Sequence, residues 1–284
     1  MPSDIFIRRV SPSHACSRPK VWYACLTPTI AMASLLTAAS TAVLAADMPL
    51  KAPLKAPAAQ AYSWTGCYVG VNAGGAASGT NFSTRVDAGT HLTDPGDLAA
   101  VGASGTDSTN DSSFIGGGQL GCNLQSGSLV FGVEGDADYF HTSPNVTTTG
   151  TLSTEDTFAI TNAMTTNWLA TVRPRFGIVS NRTLIFLTGG AAFTRATLAQ
   201  GYTDTLGAAG SSSMSSSLIG WTAGAGVEYA WSDHWSIKAD YLFASFPSKS
   251  FQTGIVDPAG GTNLLHGAAN LTVQTARLGL NYKF

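Results

Sequence analysis

The sequence predicts an all-β chain: an eight-stranded antiparallel transmembrane β-barrel with short periplasmic turns at one end and long extracellular loops at the other. Three observations predict it. Segments of strand length alternate apolar and polar residues with period two, the connections between them alternate between tight and long, and charges within the segments keep to the parity opposite the aromatic residues. The final stretch ARLGLNYKF, residues 276–284, shows the first of these. Ala276, Leu278, Leu280, Tyr282 and Phe284 share one face, and Arg277, Gly279, Asn281 and Lys283 share the other.

Composition is consistent with this class. The 284 residues include 31 glycines and only 11% charged residues, and Ser/Thr/Ala-rich tracts recur, so few helices are expected. The net charge of -2 hides a split. Arg8, Arg9, Arg18 and Lys20 precede residue 46 with Asp4 alone opposing them, which leaves 11 bases and 16 acids in the remainder. That acidic balance argues against nucleic acid as a partner.

In chain order, residues 1–45 read as an export signal: basic residues precede an apolar stretch from Ile30 to Ala45, and Val43 and Ala45 supply the small side chains before a cut near Ala46. Residues 46–61, ADMPLKAPLKAPAAQA, place Pro49, Pro53 and Pro57 four residues apart and read as an extended periplasmic linker. The barrel is expected over 62–284.

Eight segments carry the alternation there: Trp64 to Ala76, Phe114 to Leu124, Leu129 to Tyr139, Asn167 to Val179, Leu184 to Thr194, Leu218 to Trp231, Trp235 to Ser245, and Asn270 to Phe284. Each suits a tilted strand crossing a bilayer, which needs roughly 9 to 11 residues. QSGS (125–128), SNR (180–182) and SDH (232–234) join three pairs as tight hairpins. The other four connections, 77–113, 140–166, 195–217 and 246–269, are long and rich in Ser, Thr, Gly and Asp, and read as surface loops.

Outward candidates include Leu120, Phe131, Val133, Val172, Phe176, Ile219, Val227, Ile237 and Leu278. The opposite parity collects Glu134, Asp136, Asp138, Arg173, Arg175, Glu228, Lys238, Asp240 and Arg277. Charges at two-residue spacing inside apolar strands need water or one another, and a polar lumen supplies both. A register opposing Trp231 to Trp235 would place Glu228 across from Lys238 inside. Trp231, Trp235, Tyr282 and Phe284 mark the turn-side interface; Tyr139, Trp168, Trp221 and Phe243 mark the loop side.

Cys67 and Cys122 remain after the signal, which contains Cys16 and Cys25. Both lie near the lower ends of neighbouring segments on the outward parity, and export through an oxidising periplasm favours a disulfide between them. Other motifs carry less. GGGQLG (116–121) fits a dinucleotide fingerprint but leads into no helix, so it reads as barrel-wall glycine. His141 near Ser143 suggests a rim hydrolase pair only weakly, and His91, His234 and His266 are scattered over separate connections. No cofactor, metal or catalytic residue is expected.

WTGCYVGVNAGG (64–75), VFGVEGDADY (130–139), LTGGAAF (187–193), GWTAGAGVEYAW (220–231), WSIKADYLF (235–243) and LGLNYKF (278–284) resemble the alphaproteobacterial outer-membrane immunogenic protein family, small OmpA-like barrels. The ADMPLKAP stretch is similar too. The resemblance implies that Phe284, with Tyr282, forms an insertion signal read by the barrel-assembly machinery, with periplasmic chaperones as transient partners and outer-membrane lipid as the permanent one. It supplies no catalytic residues, and family roles vary between envelope integrity, surface antigenicity and small-pore activity. Two function classes remain open: a structural and surface-interaction barrel whose filled lumen blocks flow and whose loops meet an unidentified extracellular partner, and a small porin with a continuous water path through its charges.

Overall fold

A computed structural model describes residues 62–284. The expected signal and linker lie outside the described residues. Nine strands and one helix follow in order: β1 (Gly66–Asp87), α1 (Pro95–Ser104), β2 (Asp107–Ser126), β3 (Leu129–Thr142), β4 (Asn145–Thr151), β5 (Thr157–Ser180), β6 (Thr183–Asp204), β7 (Ala209–Ala230), β8 (Trp235–Val256) and β9 (Thr262–Lys283). All pairings are antiparallel, β1 pairs with both β2 and β9, and a β3–β5 pairing joins the two ends of the sheet. Closure leaves no free edge around the membrane-facing wall, as a bilayer demands.

Nine strands make eight staves. Thr142 pairs with Thr166 and Asn145 with Ala163, in one continuous register along β5, so β3 and β4 are a single stave interrupted at Ser143 and Pro144. Proline has no N–H for the ladder, which accounts for the break.

The strands extend well beyond the expected segments. The long connections 195–217 and 246–269 are mostly strand, with turns of only 205–208 and 257–261 at their tips, and 77–113 and 140–166 likewise contribute strand at both ends. A 22-residue strand such as β7 rises about 50 Å along a barrel axis at 45° tilt, whereas a bilayer accommodates only roughly 25 Å of apolar wall. On β7, outward Ser211, Ser213, Ser215 and Ser217 give way to outward Ile219, Trp221, Val227 and Tyr229. The same change occurs at Arg195 to Phe193 on β6 and at Gln274 to Ala276 on β9. The barrel therefore projects outside the membrane by about as much as it spans.

Two bulges shift inward parity at that boundary. Register slips between Thr166 and Ala170 on β5 and between Phe246 and Lys249 on β8. Asn167 and Trp168 both face out at the first, and Pro247 and Ser248 at the second.

Candidate functional site

The interior is filled in layers from the turn end upward. At the bottom, residues 62–65 fold beneath the strands, and Trp64 is buried with Val130, Leu184, Phe186 and Ala230. Its backbone N–H donates to Gln125 Oε1 at 2.7 Å. Tyr62 stacks edge-on against Trp64 and lies under Lys283 Nζ at 4.2 Å from the ring centre, and Lys283 donates to the Ser63 carbonyl.

Above this cap, the nine inward charges form one connected layer, all buried. Arg173 Nη2 lies 2.7 Å from both Glu134 Oε1 and Asp136 Oδ2. Arg175 reaches Glu228 at 2.8 Å and Glu134 at 3.4 Å. Lys238 Nζ donates to Glu134 at 2.9 Å, and Arg277 contacts Asp138 at 2.6 Å, Asp240 at 2.8 Å and Asp136 at 3.2 Å. Glu134 and Arg277 are the hubs.

The expected register is present, but the bonding does not follow strand pairing alone. Glu228 and Lys238 do face each other in register, with Tyr229 opposite Ile237, yet each bonds elsewhere: Glu228 with Arg175, Ser236 and Asn281, Lys238 with Glu134 and Gln119. Long side chains inside a narrow tube reach across the lumen more readily than they fold onto the adjacent stave. Asp138 bonds Arg277 and Asn72 rather than Arg173 or Arg175.

Neutral side chains complete the layer, and sequence reasoning missed them. Tyr68 OH donates to Glu134 Oε2 at 2.5 Å and accepts from Arg175 Nη1 at 2.7 Å. Gln119, Asn281, Ser236 and Thr171 supply further hydrogen bonds. Their signal was available as the inward parity of glycine-rich strands. A Cβ on Gly121 would stand 2.5 Å from the Tyr68 hydroxyl, and one on Gly132 would stand 2.3 Å from Asn123 Oδ1. Glycine at these positions leaves room for the long polar groups.

Higher still, the lumen becomes mainly apolar, although Asn162, Gln200 and Thr253 are also buried there. Phe82, Ile115, Phe140, Met164, Leu198, Phe246 and Leu271 are among the buried residues of one layer, and Val86, Val101, Phe158, Ile160, Ile255 and Leu265 are among those of a second at the tips. The inward charges are thus one layer of a filling that is polar near the turns and mainly apolar above. Outside the bilayer, water surrounds the wall, so the apolar parity turns inward and Ser/Thr turn outward.

Cys67 and Cys122 face each other in register and are joined by a disulfide, with Cα atoms 4.0 Å apart. It links β1 to β2 at the end opposite their connection, across a sequence separation of 55 residues. On the chain-entropy scale such a loop contributes up to about 4 kcal/mol. The Cys67→Ser, Cys122→Ser double variant is expected to unfold at lower urea with its strand content intact; equal midpoints would remove this role.

Phe284 is 74% exposed, and its backbone N–H donates to the Cys67 carbonyl at 3.2 Å. Tyr282 packs edge-on to Trp235 at 5.1 Å, and Trp231 and Trp235 stack nearby at 6.5 Å. At the upper boundary Tyr139 pairs with Trp168, and Trp221 lies 5.3 Å from Phe243. His141 Nδ1 bonds Asn167 Oδ1 at 2.7 Å, while the Ser143 N–H donates to Asp111. GGGQLG lies within β2. Among the described residues no group of three His, Cys, Asp or Glu side chains is placed to hold a metal ion.

Residues 33–284 match the model of a family described as "Outer membrane protein beta-barrel domain". The 31 kDa outer-membrane immunogenic protein of Brucella melitensis biotype 1 is 32% identical over 260 residues, covering 90% of this chain and 99% of that one. The 25 kDa outer-membrane immunogenic protein of Brucella abortus biovar 1 is 26% identical over 223 residues, covering 78% and 80%. Among solved structures, the outer membrane protein OprG of Pseudomonas aeruginosa covers 78% of this chain and 96% of its own, at 13% identity and a TM-score of 0.43. With its closed ring of staves and its apolar outer band, the chain belongs to the outer membrane protein beta-barrel domain family and is an outer-membrane protein related to alphaproteobacterial immunogenic proteins.

Proposed function

We propose that the protein is a non-conducting structural barrel of the envelope, without enzymatic activity, that presents a surface-interaction and antigenic platform to the exterior. The observation that carries this reading is the filling of the interior over its whole height: the Trp64 cap, the charge layer, then two apolar layers. A porin needs a continuous wet path, and an eight-stranded barrel is just wide enough for side chains to close it. Purified protein in planar bilayers is expected to give no steady ohmic current. Stable, ion-selective single-channel steps from wild type would replace this reading with the small porin.

The platform is the half that stands beyond the membrane. From the upper boundary outward the described chain has nine Asp and Glu residues against three Lys and Arg, so a partner with a basic surface fits it better than an acidic one.

Phe284, with Tyr282, serves in this reading as an insertion signal for the barrel-assembly machinery. The Phe284 ring is exposed and the residue's tie to the barrel is a backbone hydrogen bond, so folding itself has little use for the aromatic group. Phe284→Asp is expected to reduce outer-membrane yield in cells far more than refolding yield in detergent. Equal losses in both assays would remove the targeting role.

A further inference from the structure

The connection between β1 and β2 closes the barrel tip as a separate flap. β2 ends its pairing with β1 at Asp107 opposite Phe82, so β1 from Ser83 to Asp87 has no β2 neighbour. Helix α1 packs against that part of β1 and against β4 and β5, with its buried Val101 in the outermost apolar layer. It is a weak helix by composition: ten residues, beginning at Pro95 and containing Gly96 and Gly102. Tertiary contacts must hold it. Asp97 accepts from the Ser153 N–H at 2.7 Å and its hydroxyl at 2.8 Å, and Thr84 Oγ1 donates to the Gly105 carbonyl at 2.8 Å.

The other end of the flap pairs with the start of β9, where Thr90 and Thr262 exchange two hydrogen bonds at 2.9 Å, and one side chain ties it to the neighbouring hairpins. His91 is buried between the tips of two hairpins, Nε2 at 2.7 Å from Asp204 Oδ2 where β6 ends, and Nδ1 at 2.9 Å from Asp257 Oδ2 just past β8. A neutral imidazole has one N–H, so it could satisfy only one of these carboxylates and would turn a lone pair toward the other. An imidazolium satisfies both. Around it, β6 also contributes Tyr202, whose hydroxyl donates to Asp204 at 3.1 Å, and β9 contributes the neutral Asn263, whose Oδ1 accepts the N–H groups of His91 and Leu92. Asp87 of β1 is turned to Arg85 and His266, and Asp97 of α1 to Ser153. His91 is therefore the cation that bridges these two carboxylates.

We propose that protonated His91 is a latch that ties the 88–106 flap to the tips of the β6–β7 and β8–β9 hairpins, and that losing this proton releases the flap and uncovers the apolar layer beneath it. Burial disfavours the charge on His91, and the bonds to Asp204 and Asp257 outweigh that and raise its pKa above the ordinary imidazole value. The sign follows: a raised folded value gives stability that is complete below the unfolded value, roughly 6.5, and is lost as pH rises through the folded one. The latch is closed in mildly acidic medium and opens in alkaline medium. Opening would expose the faces of Phe158, Ile160 and Leu265 against which Leu92 and Val101 pack, giving the exterior an apolar surface that the closed form withholds.

Amide hydrogen exchange on the full barrel in lipid vesicles, corrected for the intrinsic pH dependence of exchange, tests this. In wild type, opening of 92–104 is expected to rise by up to about tenfold per pH unit from roughly pH 6.5 to the folded His91 transition and to level off above it, while β7 stays protected. His91→Gln, which cannot bridge two carboxylates by donating from both sides, is expected to exchange quickly at every pH. Asp257→Asn keeps the packing and is expected to shift the transition to lower pH. Flat protection of 92–104 in wild type, or an unchanged pH dependence in His91→Gln with β7 still protected, would overturn the latch.

Discussion

Arg173→Ala is expected to destabilise the barrel more than Glu134→Ala, by at least about 3–5 kcal/mol in urea unfolding from vesicles. The charge layer holds five carboxylates and four cations. Removing Glu134 leaves four against four, and its former partners keep others: Arg173 has Asp136, Arg175 has Glu228, and Lys238 has Asp240 at 3.7 Å. Removing Arg173 leaves five against three in a site closed to bulk water. It also empties the volume of the largest fully buried side chain, which adds a cavity to the charge imbalance. Because the two residues share a contact at 2.7 Å, the double variant should cost less than the sum of the singles. Additive losses, or a Glu134→Ala cost exceeding that of Arg173→Ala, would show that the layer is not one coupled network.

The membrane half of this arrangement is legible in the sequence because a lipid-facing wall imposes a strict code. Glu134, Asp136 and Asp138 at successive inward positions, against Phe131 and Val133 outside, can hardly be read otherwise. Partners are less legible than parity. Register alone puts Glu228 opposite Lys238, and only the three-dimensional width of the lumen sends Lys238 to Glu134 and Glu228 to Arg175.

The extracellular half reads as loop for two physical reasons. Its outer face is Ser and Thr, the residues that also fill loops, and its inner apolar residues are separated by them. The bulges then break the phase: inward positions run even through Thr166 and odd from Leu169, even through Phe246 and odd from Phe251. A period-two reading carried across either bulge loses the pattern. The remaining signal was local, in Phe158-x-Ile160, Leu198-x-Gln200-x-Tyr202 and Phe251-x-Thr253-x-Ile255, each close to one of the short turns 152–156, 205–208 and 257–261.

In the non-conducting reading the apolar half is a second seal, and Phe246→Ala tests it. Phe246 is fully buried in the layer just above the charges, and truncating such a ring costs about 3–5 kcal/mol through lost burial and the cavity left behind. The loss should appear first as faster exchange in the upper parts of β8 and β9, whose pairing already slips between Phe246 and Lys249. It should produce no current, because the charge layer and the Trp64 cap still close the tube below. Glu134→Gln should likewise give none, since it leaves both apolar layers in place above. Only variants that breach the layers together are expected to conduct, so steady current from Phe246→Ala alone would show that the charge layer is wet through and that the apolar layer is the barrier.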